Sequence, residues 1–223
     1  MCGRFTLTAD PDELRQAFPW LNIAEMGPPR YNIAPSQPVA VAANDGKNRL
    51  DYFVWGLIPS WAKDPTIGSR MINARAETLA EKPSFRAAFR RRRCLIFASG
   101  FYEWQTLPGR KARQPMYIRM QDSRPFAFAG LWETWNAPDG SQVLSTAIIT
   151  TEPNALMSTI HNRMPVILPS AVHPLWLDRG EPGLDLLQAL LVPYPEAEMT
   201  AFPVSMLVNS PANDAPQCIL PAS

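Results

Sequence analysis

The stretch FAFAGLWETWNAPDGSQVLSTAIIT, residues 126–150, decides the fold class. Phe126–Leu131 and Val143–Thr150 are rich in aromatic and β-branched residues, and Ala137-Pro138-Asp139-Gly140 supplies turn chemistry between them. Two strands joined this way form a hairpin, and a hairpin is an antiparallel pair. Upstream, Val39–Ala43 and Leu50–Trp55 flank Asn44-Asp45-Gly46 with the same signature. Cys94–Ala98, Met116–Met120 and residues 200–207 read as further strands. Helical signals lie outside these runs. Asp10-Pro11-Asp12-Glu13 places a capping acid before a proline and an acid in the first turn, which predicts a helix to about Phe18. Lys82-Pro83 opens a second helix that ends in Arg90–Arg93, and short helices are expected at 153–160, 170–178 and 183–191. Mostly antiparallel, hairpin-linked strands with peripheral helices predict an α+β fold and not a doubly wound parallel sheet. The 24 prolines are dispersed as punctuation, and no Pro/Gly/Ser-rich break divides the chain, so residues 1–223 read as one compact domain.

Composition excludes several classes. A hydrophobic fraction of 46%, with 10% aromatic residues, is incompatible with a disordered chain. No apolar run approaches the length of a membrane span, so no membrane partner is expected, and Arg4, Asp10, Asp12 and Glu13 interrupt any secretory signal. Three cysteines at 2, 94 and 218 cannot all pair, which points to a reducing, cytoplasmic setting. With two distant histidines they also lack metal-ligand spacing, so no metal or cofactor is expected. The formal net charge is +1, yet residues 1–120 carry +8 and residues 121–223 carry −7. Only Lys47, Lys63, Lys82 and Lys111 are lysines; the remaining bases are arginines, whose planar fork suits phosphate. That asymmetry reads either as a polyanion partner or as a solvated arginine-rich face.

Cys2 is the most informative position. Once Met1 is removed, its thiol and a free α-amine sit on adjacent carbons, with reference pKa values of about 8.5 and about 7.7–8.0. Such a 1,2-aminothiol condenses with an aldehyde to a Schiff base and closes a thiazolidine ring; it also suits an N-terminal nucleophile hydrolase. The plain alternative is a chance cysteine in a frayed terminus. His161, in Ile160-His161-Asn162-Arg163, reads as a proton carrier beside an anion site or as a histidine at a helix C-terminus. His173 reads as a surface helix residue. Glu103, flanked by Phe101, Tyr102 and Trp104, is either a desolvated proton shuttle or an edge-strand carboxylate facing water. Asn73 offers a donor and an acceptor, and Arg75 a phosphate fork. Trp55, Trp61 and Pro35 read as a platform or wedge for bases, or as core packing.

All of these positions but His173 fall within eight ordered motifs. They are Met1-Cys2-Gly3-Arg4-Phe5, RYNIAPSQ (30–37), WGLIPSWAKD (55–64), INARAET (72–78), RRCLIFASGFYEW (92–104), FAFAGLWE (126–133), IHNRMPVIL (160–168) and VNSPANDAPQCILP (208–221). Together they closely resemble the SOS-response-associated peptidase (SRAP) family, whose bacterial and eukaryotic members shield abasic sites. The resemblance implies a single α+β domain with a positively charged groove for single-stranded DNA, and an N-terminal cysteine that crosslinks to an abasic site. It implies a catalytic group of Cys2, Asn73, Glu103 and His161. It places Arg4, Asn32, Trp61, Arg75, Thr150 and Arg163 at DNA-backbone contacts and Pro35 as a wedge between bases. It also implies self-processing at Met1 and action as a monomer on damaged DNA. Phe97 and Ser99 stand where the family pattern leads one to expect Pro and Asp, Ala212 where it often has Arg, and Ala62 where some relatives carry a second Trp. Two other classes stay open: a thiol peptidase or amidohydrolase acting on other substrates, and a non-covalent single-strand binder.

Overall fold

A computed structural model of the chain describes residues 2–109 and 111–222. After Cys2 the chain enters β1 (Phe5–Leu7) and then α1 (Pro11–Ala17). The start of α1 is a full capping box: Asp10 accepts from the amides of Asp12 and Glu13, and Glu13 accepts from the amide of Asp10. Strands β2 (Arg30–Ile33), β3 (Pro38–Ala43), β4 (Asp51–Trp55) and β5 (Asn73–Arg75) follow. Next come α2 (Arg86–Arg91), β6 (Arg93–Ala98), β7 (Gly100–Gln105), β8 (Gln114–Met120), β9 (Phe126–Asn136) and β10 (Gln142–Thr151). The last part holds α3 (Ala155–Ser158), β11 (Met164–Pro165), α4 (His173–Trp176), α5 (Leu184–Ala189) and β12 (Met199–Pro203).

Pairing organises these elements into two layers. β4 pairs with β3, β3 with β6, β6 with β9 and β9 with β10, all antiparallel. β10 then returns to β4 in parallel, Ser145 against Val54 and Thr146 against Trp55, so the circuit closes as a small barrel. A second, antiparallel sheet runs β12-β8-β7-β1-β2. Aromatic side chains join the layers. The buried Phe5 ring meets Trp55 at 5.1 Å and Phe128 at 5.7 Å, and Phe101 meets Phe128 at 6.0 Å. Edge-to-face pairs of this kind contribute about 0.5–1.5 kcal/mol each beyond the area they bury. The result is one compact α+β domain, as the hairpin reading predicts.

Several local expectations need correction. The second helix starts at Arg86 and not at Lys82-Pro83; Lys82–Phe85 forms a turn whose carbonyl at Lys82 accepts from the amides of Phe85 and Arg86. Arg93 belongs to β6 and is fully buried. Its guanidinium donates to the carbonyls of Phe89, Arg90, Trp176 and Asp178, so one cation satisfies the end of α2 and ties it to α4. The strand expected over 200–207 stops at Pro203, and Met206–Asn209 forms a 3-10 turn capped by Ser205. His173 is not a surface residue: it is 2% exposed, its Nε2 bonds Leu168 O at 2.9 Å, and its ring stacks on Phe18.

The Tyr117 side chain of β8 lies directly over β7 because Gly100 lacks a side chain. A Cβ there would fall on the Tyr117 phenol, whose hydroxyl is bonded to Thr6 Oγ1 at 2.9 Å and cannot swing away freely. Gly100→Ala is expected to destabilise the protein by about 1–3 kcal/mol through overpacking. A urea midpoint that falls with an unchanged slope supports this reading; an unchanged midpoint contradicts it.

Candidate functional site

The C-terminal half of β10 gathers the site. On one edge it pairs in parallel with β5, setting Ile148 against Asn73 and Thr150 against Arg75. On the other it pairs with β11, setting Thr150 against Pro165 and Thr151 against Met164. Arg163 and His161 immediately precede β11, in the turn that leaves α3. The N-terminal segment arrives from the other sheet. Phe5 lies opposite Phe101, so continuing that antiparallel register brings Gly3 across from Glu103. The ladder bond Tyr102 N–H to Arg4 O, 3.0 Å, holds this register beyond β1.

Cys2, Asn73, Glu103 and His161 meet in one cluster. Asn73 Nδ2 donates to Cys2 O at 2.8 Å. Cys2 is fully buried, and burial, followed by the neighbouring Glu103 charge, pushes its thiol well above the ordinary range. Glu103 is 3% exposed, and burial raises its carboxyl pKa against the opposing pull of His161. The open question about Glu103 is thereby resolved: it is desolvated, and not an edge carboxylate in water. His161 Nδ1 lies 3.1 Å from the Arg163 amide nitrogen and 3.3 Å from the Arg163 carbonyl oxygen, so the turn before β11 fixes the position of the ring. The arrangement holds a nucleophile-bearing terminus beside a carboxyl and an imidazole that can each exchange a proton.

The remaining expected site residues separate into three groups. Arg75 and Trp61 are exposed, Trp61 at 61%, and Pro35 is half-buried. Arg4 and Arg163 are already engaged. Arg4 Nη1 donates to Asn32 Oδ1 at 2.7 Å and Val208 O at 2.6 Å, with its guanidinium 5.8 Å from the Trp104 ring. Arg163 grips Glu77 with both terminal nitrogens, at 2.6 and 3.0 Å, and donates to Thr150 O at 2.6 Å. Asn32 and Thr150 have no exposed surface, which corrects their expected place on the contact face. Asn32 Nδ2 instead donates to the carbonyls of Val208, Ser210 and Asn213, so it ties the C-terminal segment to β2. Thr150 anchors Arg163 from behind. Trp55 is fully buried and belongs to the core.

Unmet hydrogen-bonding capacity concentrates here. Arg4 Nε, Asn73 Oδ1 and Arg163 Nε are buried and have no hydrogen-bond partner among the described residues. Buried polar atoms are rarely left so, because each costs about 1–3 kcal/mol. Glu77 and Asp214 were not singled out in the sequence, although INARAET and VNSPANDAPQCILP contain them. Asp214 accepts from the amides of Tyr31 and Asn32, at 2.5 and 2.9 Å, and from Arg30 Nε. Of the departures, Ser99 Oγ accepts from the amides of Thr8 and Ala9 at 3.0 Å each, and Phe97 packs on Phe18. Ala62 offers its carbonyl to Trp135 Nε1, and Ala212 is exposed. Met1 lies outside the described residues. Among the described residues no group of three or more His, Cys, Asp or Glu could hold a metal, and no helix is long and apolar enough to cross a membrane.

Comparison with known proteins assigns the chain to a family. The model described as SOS response associated peptidase (SRAP) matches residues 1–211. The abasic site processing protein YoqW of Bacillus subtilis (strain 168) is 50% identical over 225 residues, covering 98% of this chain and 99% of its own. The abasic site processing protein HMCES of Rattus norvegicus is 33% identical over 272 residues, covering 100% of this chain and 76% of its own. A crystal structure of a Bacteroides thetaiotaomicron protein superposes with a TM-score of 0.87 at 25% identity and covers both chains fully. On the closed barrel, the gathered site and these matches together, the chain belongs to the SOS response associated peptidase family.

Proposed function

We propose that this protein processes abasic sites in single-stranded DNA by forming a thiazolidine crosslink through Cys2 after Met1 is removed. The observation that carries the reading is the Asn73–Cys2 hydrogen bond, which places the N-terminal segment inside the Glu103–His161 cluster. The relatives described as abasic site processing proteins support it.

The chemistry follows from the groups present. An abasic deoxyribose exchanges between a closed hemiacetal and an open aldehyde. A ring N–H of His161 donates toward the sugar ring oxygen and promotes opening. The α-amine of Cys2 adds to the aldehyde carbon, forming a C–N bond. Glu103, whose carboxyl pKa burial raises, gives its proton to the carbinolamine oxygen, which leaves as water, and takes back the nitrogen proton to leave the neutral imine. The Cys2 sulfur then attacks the imine carbon, the C–S bond closes the ring, and the thiol proton moves to the nitrogen. Overall one aldehyde and one aminothiol give one thiazolidine and one water, with no change of oxidation state. The raised thiol pKa suits this order, because the amine acts first and the thiol is kept as a proton-bearing second nucleophile. Arg75, exposed beside Asn73 at the edge of the cluster, supplies a phosphate contact.

A denaturing gel tests the crosslink. Processed protein incubated with a single-stranded oligonucleotide carrying one abasic site is expected to give a shifted band that Cys2→Ala abolishes; no band with correctly processed protein contradicts the reading. Glu103 makes a separate prediction. Its folded pKa lies above the unfolded value of about 4.3, so the folded state retains a proton that the unfolded state has lost. The stability it lends is complete below that unfolded value and declines as pH rises through the folded pKa. Glu103→Gln is therefore expected to gain thermal stability relative to the parent progressively above about pH 4.3, while crosslinking slows by about 10²–10⁴-fold. A stability difference independent of pH, or an unchanged crosslinking rate, contradicts the assigned role.

A further inference from the structure

A second basic surface lies away from the Cys2 cluster. Arg86, Arg90, Arg91 and Arg92, with Ala80 and Ala87, line a groove of about 410 Å³ along α2. Two of these cations are balanced: Arg91 Nε meets Glu181 at 2.8 Å and Arg92 Nη2 meets Glu133 at 2.7 Å. Arg86 and Arg90 are exposed and have no acidic partner among the described residues. They stand four apart on a helix, so they share a face with their Cβ atoms about 5–6 Å apart.

The surface is held in place by Arg93, whose guanidinium bonds the Phe89 and Arg90 carbonyls from within the core. Like charges gathered on a fixed platform repel, and a polyanion relieves that repulsion. Arginine forks and not lysines line the groove, which suits phosphate oxygens taken two at a time. The chain also connects this groove to the site: Ala80, on its wall, follows Arg75 by five residues, three of them in the 3-10 turn Ala76–Thr78. Five residues span at most about 17 Å. A strand that reaches both the site and the groove therefore extends beyond the abasic nucleotide itself.

We propose that the Arg86–Arg90 groove is a second phosphate-binding surface, which carries the flank of a DNA strand whose abasic site lies at Cys2. The proposal rests on the function inferred above and extends it to a partner longer than the reaction site requires. A short strand ends before the groove, and a long one reaches it.

The test compares the parent with Arg86→Gln/Arg90→Gln, both changes lying at exposed positions. Fluorescence anisotropy across 50–200 mM salt is read for strands of about 5 and about 25 nucleotides carrying a central abasic site or its reduced, unreactive analogue. Loss of two phosphate contacts is expected to reduce the salt slope for the long reduced strand by about 1.4. The affinity deficit of the variant at 50 mM is then about sevenfold larger than at 200 mM. Crosslinking of the short reactive strand is expected to match the parent. Equal slopes on the long strand overturn the proposal, as does slowed crosslinking of the short strand, which would place these arginines at the reaction site. If the parent itself fails to crosslink the short strand, the Cys2 chemistry is wrong, and the slope comparison still reads the groove.

Discussion

The double pairing of β10 is the constraint on which the site depends. A strand end that pairs in parallel with Asn73–Arg75 on one edge and antiparallel with Met164–Pro165 on the other has no freedom to shift register. It fixes Asn73 and Arg75 beside Thr150, and sets Arg163 so that its guanidinium spans from Thr150 O to Glu77. The N-terminal segment is then joined to this frame by the Asn73–Cys2 bond, while β1 against β7 sets its depth relative to Glu103. The cluster thus assembles from four distant parts of the chain without a loop having to close over it.

The hairpin architecture was legible because alternating β-branched runs and Asn-Asp-Gly or Pro-Asp-Gly turns are local signals. The strands that position the site carry no such signal. β1, β5 and β11 are three residues or fewer, too short for periodicity, and they exist because neighbours offer open edges. His173 looked like an exposed helix residue because Ala171-Val172-His173-Pro174 says nothing about what packs above it; Phe18, distant in sequence, stacks on its ring, and the nearby Leu168 carbonyl bonds it. Glu103 was legible as an ambiguity, since aromatic neighbours fit either face of a strand, and only the β1–β7 pairing selects the buried one. Asn32 and Thr150 show the limit of assignment by resemblance. Both side chains are buried, that of Asn32 holding the C-terminal segment and that of Thr150 meeting Arg163.

That C-terminal segment, opaque as sequence, has a physical role in the structure. Asp214 accepts from two β2 amides and Arg30, and Asn32 returns three donated bonds to 208–213. Arg4, two residues from Cys2, is held between Asn32 and the Val208 carbonyl. The two ends of the chain are therefore coupled through one asparagine and one arginine. The near-zero net charge takes on a different meaning beside this geometry. The positive half supplies Arg4, Arg75 and the α2 groove, whereas Glu77, Glu133 and Glu181 neutralise selected arginines and leave others available.

The central claim is that both the amine and the sulfur of Cys2 bond to one sugar carbon. Intact mass spectrometry of the adduct, taken before and after borohydride and then thiol alkylation under denaturing conditions, reads this directly. The account predicts a mass equal to the processed protein plus the abasic oligonucleotide less one water, unchanged by borohydride, with Cys2 refractory to alkylation and Cys94 and Cys218 both modified. An adduct that takes up two hydrogens, or one in which Cys2 alkylates freely, would show an open Schiff base or attachment elsewhere and contradict it.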